Sequence, residues 1–100
     1  MEIRISARHF ELSDDLKQKI EQTVQKFSRF YPKIIWVEAI LEQEATRDHR
    51  KKVEFVVHTN DHHTFAASEE TDNFYTSLHK AADKVIRQLK KLKTRRERHS

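Results

Sequence analysis

Between Tyr75 and Leu92 the apolar residues Tyr75, Leu78, Ala82, Val85, Leu89 and Leu92 recur at steps of three or four. That step matches the repeat of an α-helix with one buried face, so the segment must lie as a helix against an apolar partner. Asp72 stands just ahead of it, and its side chain is suited to cap the free N–H groups of a first turn. A single amphipathic helix cannot bury its own stripe, so the rest of the 100-residue chain has to supply the surface it covers. At this length the chain builds one core.

The remaining pattern supplies that surface. Residues 2–8 alternate with period two and place Ile3, Ile5 and Ala7 on one face of a short strand. Ser13, followed by Asp14 and Asp15, reads as the cap and acidic first turn of a helix whose apolar residues are Leu16, Ile20, Val24 and Phe27. This helix should stop before Pro32, because a residue preceding proline is pushed out of helical geometry. From 33 to 44 a second strand sets Ile35, Val37, Ala39 and Leu41 on one face and Trp36, Glu38, Ile40 and Glu42 on the other. Residues 45–50 read as a loop. A third strand carries Val53, Phe55 and Val57, and a fourth near 64–69 carries Phe65 and Ala67. The order β-α-β-β-β-α predicts a single α+β domain in which two helices pack on one face of a four-stranded sheet. A right-handed crossover makes the first two strands parallel.

Asn60 and Asp61 lie in the turn between the last two strands, near His58, His62 and His63. A two-residue turn would set His58 opposite His63 and seed a metal site. A three-residue turn keeps Phe65 and Ala67 on the face of Val53, Phe55 and Val57, and burial should decide the register. Spacing places no third ligand, so no metal site is expected.

Composition removes several function classes. There is no Cys, hence no disulfide, no cysteine zinc site and no thiol nucleophile. There is no Gly, so loops that cradle phosphate by close backbone approach are hard to build, and neither a nucleophile elbow nor an HExxH run occurs. Adjacent acids such as Asp14 and Asp15, or Glu69 and Glu70, sit beside helix starts, where the helix dipole accounts for them. The longest apolar run is Ile34 to Val37, so neither secretion nor membrane insertion is expected, and the cytoplasm is the default compartment. Enzymatic activity, a cofactor and a small-molecule substrate are not expected.

Charge is the positive signal. Lys80, Lys84, Arg87, Lys90, Lys91, Lys93, Arg95, Arg96 and Arg98 face only Asp83 and Glu97 in the last segment, while the rest of the chain is net acidic. On a helical wheel Lys80, Lys84, Arg87, Lys91, Arg95 and Arg98 cluster opposite the apolar stripe, and Lys90 flanks it. A rigid row of cations on an anchored helix suits a phosphate backbone. An ordinary solvated helix face, basic at its C-terminal end for dipole reasons, is the plainer explanation, but the scarcity of balancing acids favours a polyanion. Phe30, Tyr31 and Trp36 lack an RNA-stacking pattern and are expected to pack at the helix-to-strand corner.

Three stretches, ISARHFELSDDLKQKI, HRKKVEFVVH and above all EETDNFYTSLHKAADKVIRQLKKLK, resemble the ribosome hibernation promoting factor family, also called ribosome-associated inhibitor or sigma-54 modulation proteins. The resemblance covers essentially the whole chain. In that family the last helix begins with an acid-x-x-Tyr-Ala-Ala-Ile-Asp stretch, followed by Asp-Lys and a basic tail. Asp72, Tyr75, Leu78, Asp83 and Lys84 fit, whereas Thr76 and Ser77 replace the usual small pair and His79 the usual Asp.

The resemblance implies a domain over 1–96 and a short basic tail over 97–100, in the family's short form without the extra domain that pairs ribosomes. It implies a factor, monomeric off the ribosome, that lodges in the mRNA and tRNA channel of the small ribosomal subunit and silences idle ribosomes by occlusion. Ribosomal RNA would be contacted by basic residues of both helices: by position, Lys26 and Arg29 in the first and Lys80, Lys84, Arg87, Lys90, Lys91 and Arg95 in the second. Two alternatives remain. The layout also resembles double-stranded RNA-binding domains, which read helix shape. A protein-interaction domain would instead use the acids around Glu38, Glu42 and Glu44 to hold a basic partner.

Overall fold

A computed structural model describes residues 1–44 and 50–99, with side chains through residue 94. The elements run β1 (Glu2–Arg8), α1 (Asp14–Phe30), β2 (Ile34–Gln43), β3 (Lys51–Thr59), β4 (Thr64–Thr71) and α2 (Phe74–His99). They form one sheet in the order β1-β2-β3-β4. The pair joined through α1 is parallel and the two hairpin pairs are antiparallel, as their connections require. The loop expected at 45–50 lies, up to residue 49, outside the described residues. At its base the Glu44 amide donates to the Arg50 carbonyl at 2.9 Å. Helix α2 continues to His99, through most of the stretch read as a tail.

Strand register gathers the core onto one face. Ile3, Val37, Val57 and Phe65 form one cross-strand row, and Ile5, Ala39, Phe55 and Ala67 the next. Both helices cover these rows, α1 with Leu16, Ile20, Val24 and Phe27, and α2 with Phe74, Leu78, Ala81, Val85, Leu89 and Leu92. Phe27 meets Phe55 edge to face at 5.1 Å, the geometry that the ring quadrupoles favour.

Helix α1 starts and stops where local chemistry dictates. Ser13 Oγ accepts from the Leu16 amide at 3.2 Å, and Tyr31, ahead of Pro32, closes the other end. Two expected inward residues are on the outside. Ile35 is 44% exposed because β2 carries an irregularity between Ile34 and Trp36, which turns Ile34 into the core and leaves Ile35 out of the ladder. Tyr75 is 43% exposed because the buried stripe of α2 runs through Phe74, Leu78, Ala81, Val85 and Leu89, leaving Tyr75 about a quarter turn outside it, and α2 also begins one residue later than expected. Asn73, not Asp72, caps it, with Oδ1 accepting from the Tyr75 and Thr76 amides at 2.8 and 3.3 Å. Phe74 then takes the buried position and stacks on Phe10, while Tyr75 donates its hydroxyl to Asp15 at 2.5 Å. Phe74 has no polar atom to satisfy inside, whereas Tyr75 keeps its hydroxyl where Asp15 can accept from it. About two turns on, Ala81 is fully buried and Ala82 only partly.

Ser77 occupies a buried position and satisfies it with polar contacts. Its Oγ donates to the Lys51 carbonyl at 2.7 Å, accepts from the Thr71 amide at 3.0 Å and lies 2.7 Å from Thr71 Oγ1. The hydroxyl therefore ties α2 to β3 and β4.

The β3–β4 turn has three residues. His58 pairs with Thr64, the Thr59 amide donates to the His63 carbonyl at 2.9 Å, and Phe65 stays opposite Val57. His62 adopts a left-handed backbone (φ 68°), a position where glycine is usual and this chain has none. Asp61 pins the turn to the end of α1 by accepting from Tyr31 Oη at 2.8 Å and from Thr59 Oγ1. Partial burial pushes the Asp61 carboxyl up, but these hydrogen bonds and nearby His63 hold it below the usual aspartate value. A depressed folded value means stabilisation that is present above about pH 4 and lost as pH falls below it. Asp61→Asn should therefore lower the melting temperature near neutrality, with the gap to wild type closing as melts are taken down towards about pH 2.5. A gap that stayed constant over this range would show that the carboxylate contributes nothing through its charge.

Candidate nucleic-acid interface

The two helices run side by side in the same sense. Their first turns meet through Tyr75 and Asp15, and the last turn of α1 meets α2 at Lys93, whose ammonium sits 4.8 Å from the centre of the Phe30 ring. Acids therefore collect at one end, where Glu11 and Asp72 line one depression beside Asp14 and Asp15. The other end of α1 carries Lys26 and Arg29, beside Lys90, Lys91 and Lys93 of α2, and Arg29, in the last turn of α1, complements that helix's dipole.

Lys26, Arg29, Lys80, Arg87, Lys90 and Lys91 are all exposed. The Arg95 side chain lies outside the described residues. Expected cations open onto two different grooves. Arg87, Lys90 and Lys91 border a groove between α2 and the edge strand β4, floored by Ala66 and Ser68. Lys26 borders a second groove between the helices, together with Lys19, Thr23, His79 and Asp83. Lys19 was not among the expected site residues, although its seven-residue spacing from Lys26 places both on one helix face. At the usual Asp position, His79 lies 3.7 Å from Asp83.

Lys84 differs from its neighbours. Its ammonium is 2.9 Å from Glu69 Oε1 and donates to the Ser68 carbonyl at 3.0 Å, strapping α2 to β4. The hydrogen bond from Lys84 holds the Glu69 carboxyl below its ordinary value, with Lys80 adding to the effect. The helix has few acids of its own, but the fold brings one to Lys84 from β4. The ammonium also occupies a carbonyl on the sheet edge, a common way of blunting an edge strand against pairing.

Of the aromatic residues expected at the corner, Tyr31 is buried in the core and Phe30 half-buried under Lys93. Trp36 lies on the other face of the sheet, stacked on His58 at 5.3 Å. His58 Nδ1 lies 2.6 Å from Thr64 Oγ1, in place of the cross-strand pairing with His63 that a two-residue turn would have made. Among the described residues no three His, Asp or Glu side chains form a group that could hold a metal ion. No helix among them is long and apolar enough to cross a membrane.

Comparison with known proteins places this geometry. The profile of the family described as sigma 54 modulation protein / S30EA ribosomal protein matches residues 3–97. A ribosome hibernation promoting factor from Azotobacter vinelandii is 28% identical over 93 residues, spanning 93% of this chain and 83% of that protein. Among solved structures, a ribosomal subunit interface protein from Coxiella burnetii superposes with a TM-score of 0.82 at 21% identity, over 94% of this chain and 99% of that one. The N-terminal domain of Protein Y from Thermus thermophilus gives 0.80 at 18% identity, over 92% and 99%. These superpositions establish the shared β-α-β-β-β-α fold, and with a family profile running over nearly every residue, the chain belongs to the sigma 54 modulation protein / S30EA ribosomal protein family.

Proposed function

We propose that this protein is a ribosome hibernation factor that binds the small ribosomal subunit in the channel used by mRNA and tRNA and blocks translation on idle ribosomes by occupying it. The observation that carries the reading is the set of exposed cations on two co-directional helices, presented by a family member whose named relative is a hibernation promoting factor. Lys26, Arg29, Lys80, Arg87, Lys90, Lys91 and Arg95 are the proposed phosphate contacts, with Lys84 contributing whatever charge its bond to Glu69 leaves. Phosphate contacts supply affinity and position without reading bases, which is what occlusion of a fixed ribosomal RNA surface requires. The protein acts in the cytoplasm, as a monomer until it meets the ribosome, and needs no cofactor or chemistry of its own.

Backbone cleavage probing of purified small subunits tests this. Protection of ribosomal RNA in the decoding region, accompanied by loss of mRNA and tRNA binding, is the expected result. Equal affinity for free duplex RNA with no protection on the subunit would instead make the protein a general double-stranded RNA binder.

A further inference from the structure

Both helices lie on one side of the sheet, so the opposite side is uncovered by any described element. On its two central strands Trp36 faces His58, Glu38 faces Val56 and Ile40 faces Glu54. All six are half-buried among their neighbours. The aliphatic residues Ile40 and Val56 thus share one diagonal and the carboxylates Glu38 and Glu54 the other, beside the stacked rings of Trp36 and His58. Of the charges around them, Arg4 pairs with Glu2, Arg8 with Glu42 and Arg50 with Glu70, while Lys52, two residues from Glu54 on the same strand face, forms no ion pair with it. Glu38 and Glu54 have no ion-pair or hydrogen-bond partner among the described residues, even though Arg4 lies opposite Glu38 in the ladder.

An aromatic and aliphatic floor with two unanswered carboxylates repels nucleic-acid phosphate and attracts a cation with a long apolar stem. Lysine and arginine have that form, since their methylenes lie along apolar surface while the charged head reaches outward to an acid. Arginine additionally stacks on an indole face. Carboxylates on a cross-strand diagonal are about 7 Å apart, close to the i, i+2 distance along an extended chain. We propose that this open sheet face is a docking surface for an arginine- and lysine-rich protein segment in extended conformation, its cations held by Glu38 and Glu54 over Trp36, Ile40 and Val56. The surface lies across the sheet from the basic helices, so the two partners would be bound at once, RNA on one side and basic protein on the other.

Trp36 is the only tryptophan in the chain, so its fluorescence reports on this face alone. The full-length protein is titrated with a synthetic peptide alternating arginine and alanine. A saturable change in Trp36 emission is expected, with an affinity that falls as salt is raised. Glu38→Gln combined with Glu54→Gln, with circular dichroism confirming the fold, should weaken the peptide about tenfold. Arg87→Ala with Lys91→Ala should leave the peptide affinity unchanged. The proposal is overturned if no saturable change is seen or if the double glutamine variant binds like wild type. It is equally overturned if an oligouridylate moves Trp36 emission at lower concentration than the peptide does, which would make the face an RNA-stacking surface.

Discussion

Replacing Lys80, Arg87 and Lys91 together by alanine is expected to weaken binding to the small ribosomal subunit on the order of a hundredfold at about 0.1 M salt. A cation that no longer neutralises a phosphate no longer displaces a counterion, so the slope of log affinity against log salt should fall by up to about three. All three residues are exposed and absent from every ion pair and hydrogen bond described, so thermal stability should shift by no more than about 0.5 kcal/mol. An extract inhibited by the wild-type protein should translate again with the variant. Lys84 is left in place because its removal would also release Glu69 and the sheet edge, mixing a structural effect with a binding effect. The control exchanges Lys52, on the far side of the sheet, for alanine. If the control abolished binding while the triple variant kept the wild-type affinity and slope, the RNA would lie against the opposite face of the molecule from the one proposed.

Leu89→Ala is expected to cost about 2–5 kcal/mol, combining reduced burial with a cavity that the surroundings cannot close. Leu89 is fully buried and belongs to the single core cluster shared by both helices and the sheet. Domains of this size gain only about 5–15 kcal/mol from folding, so the melting temperature should fall by roughly 10–30 °C. Binding should suffer as well, because Leu89 seats the turn of α2 that carries Lys90, Lys91 and Lys93. A destabilisation under about 0.5 kcal/mol in a denaturant titration would mean that this turn is not held by its apolar face.

These effects separate because α2 divides its duties by face. Its inner side supplies adhesion through Phe74, Leu78, Ala81, Val85 and Leu89, and its outer side supplies charge. The cost of ordering long cationic side chains is reduced when their backbone is already fixed, so a rigid anchor favours the proposed RNA contact. The Ser77 hydroxyl and the Lys84 strap add polar attachments along the same helix, one at each strand of the β3–β4 hairpin and one at its outer edge.

Hydrophobic period determined the element order and the single covered face of the sheet, and with the handedness of the crossover it determined the parallel pairing of β1 with β2. Burial along a strand or helix sums over many residues, so one misplaced side chain leaves the pattern legible. The same holds for the three-residue turn, where keeping Phe65 beside Val57 outweighed the shorter connection. Caps were legible at Ser13, whose partner is three residues away, but not at Asn73, where Asp72 offers the same chemistry one position earlier. Tertiary packing made that choice by seating Phe74 against Phe10. It also placed the irregularity at Ile35, joined Asp61 to Tyr31 thirty residues away, and set Glu69 beside Lys84. Periodicity states which residues share a face, whereas these contacts depend on which two faces meet and at what offset. An offset of one residue is worth only a few side-chain contacts, too little to leave a trace in the local pattern and enough to decide which cations remain unpaired.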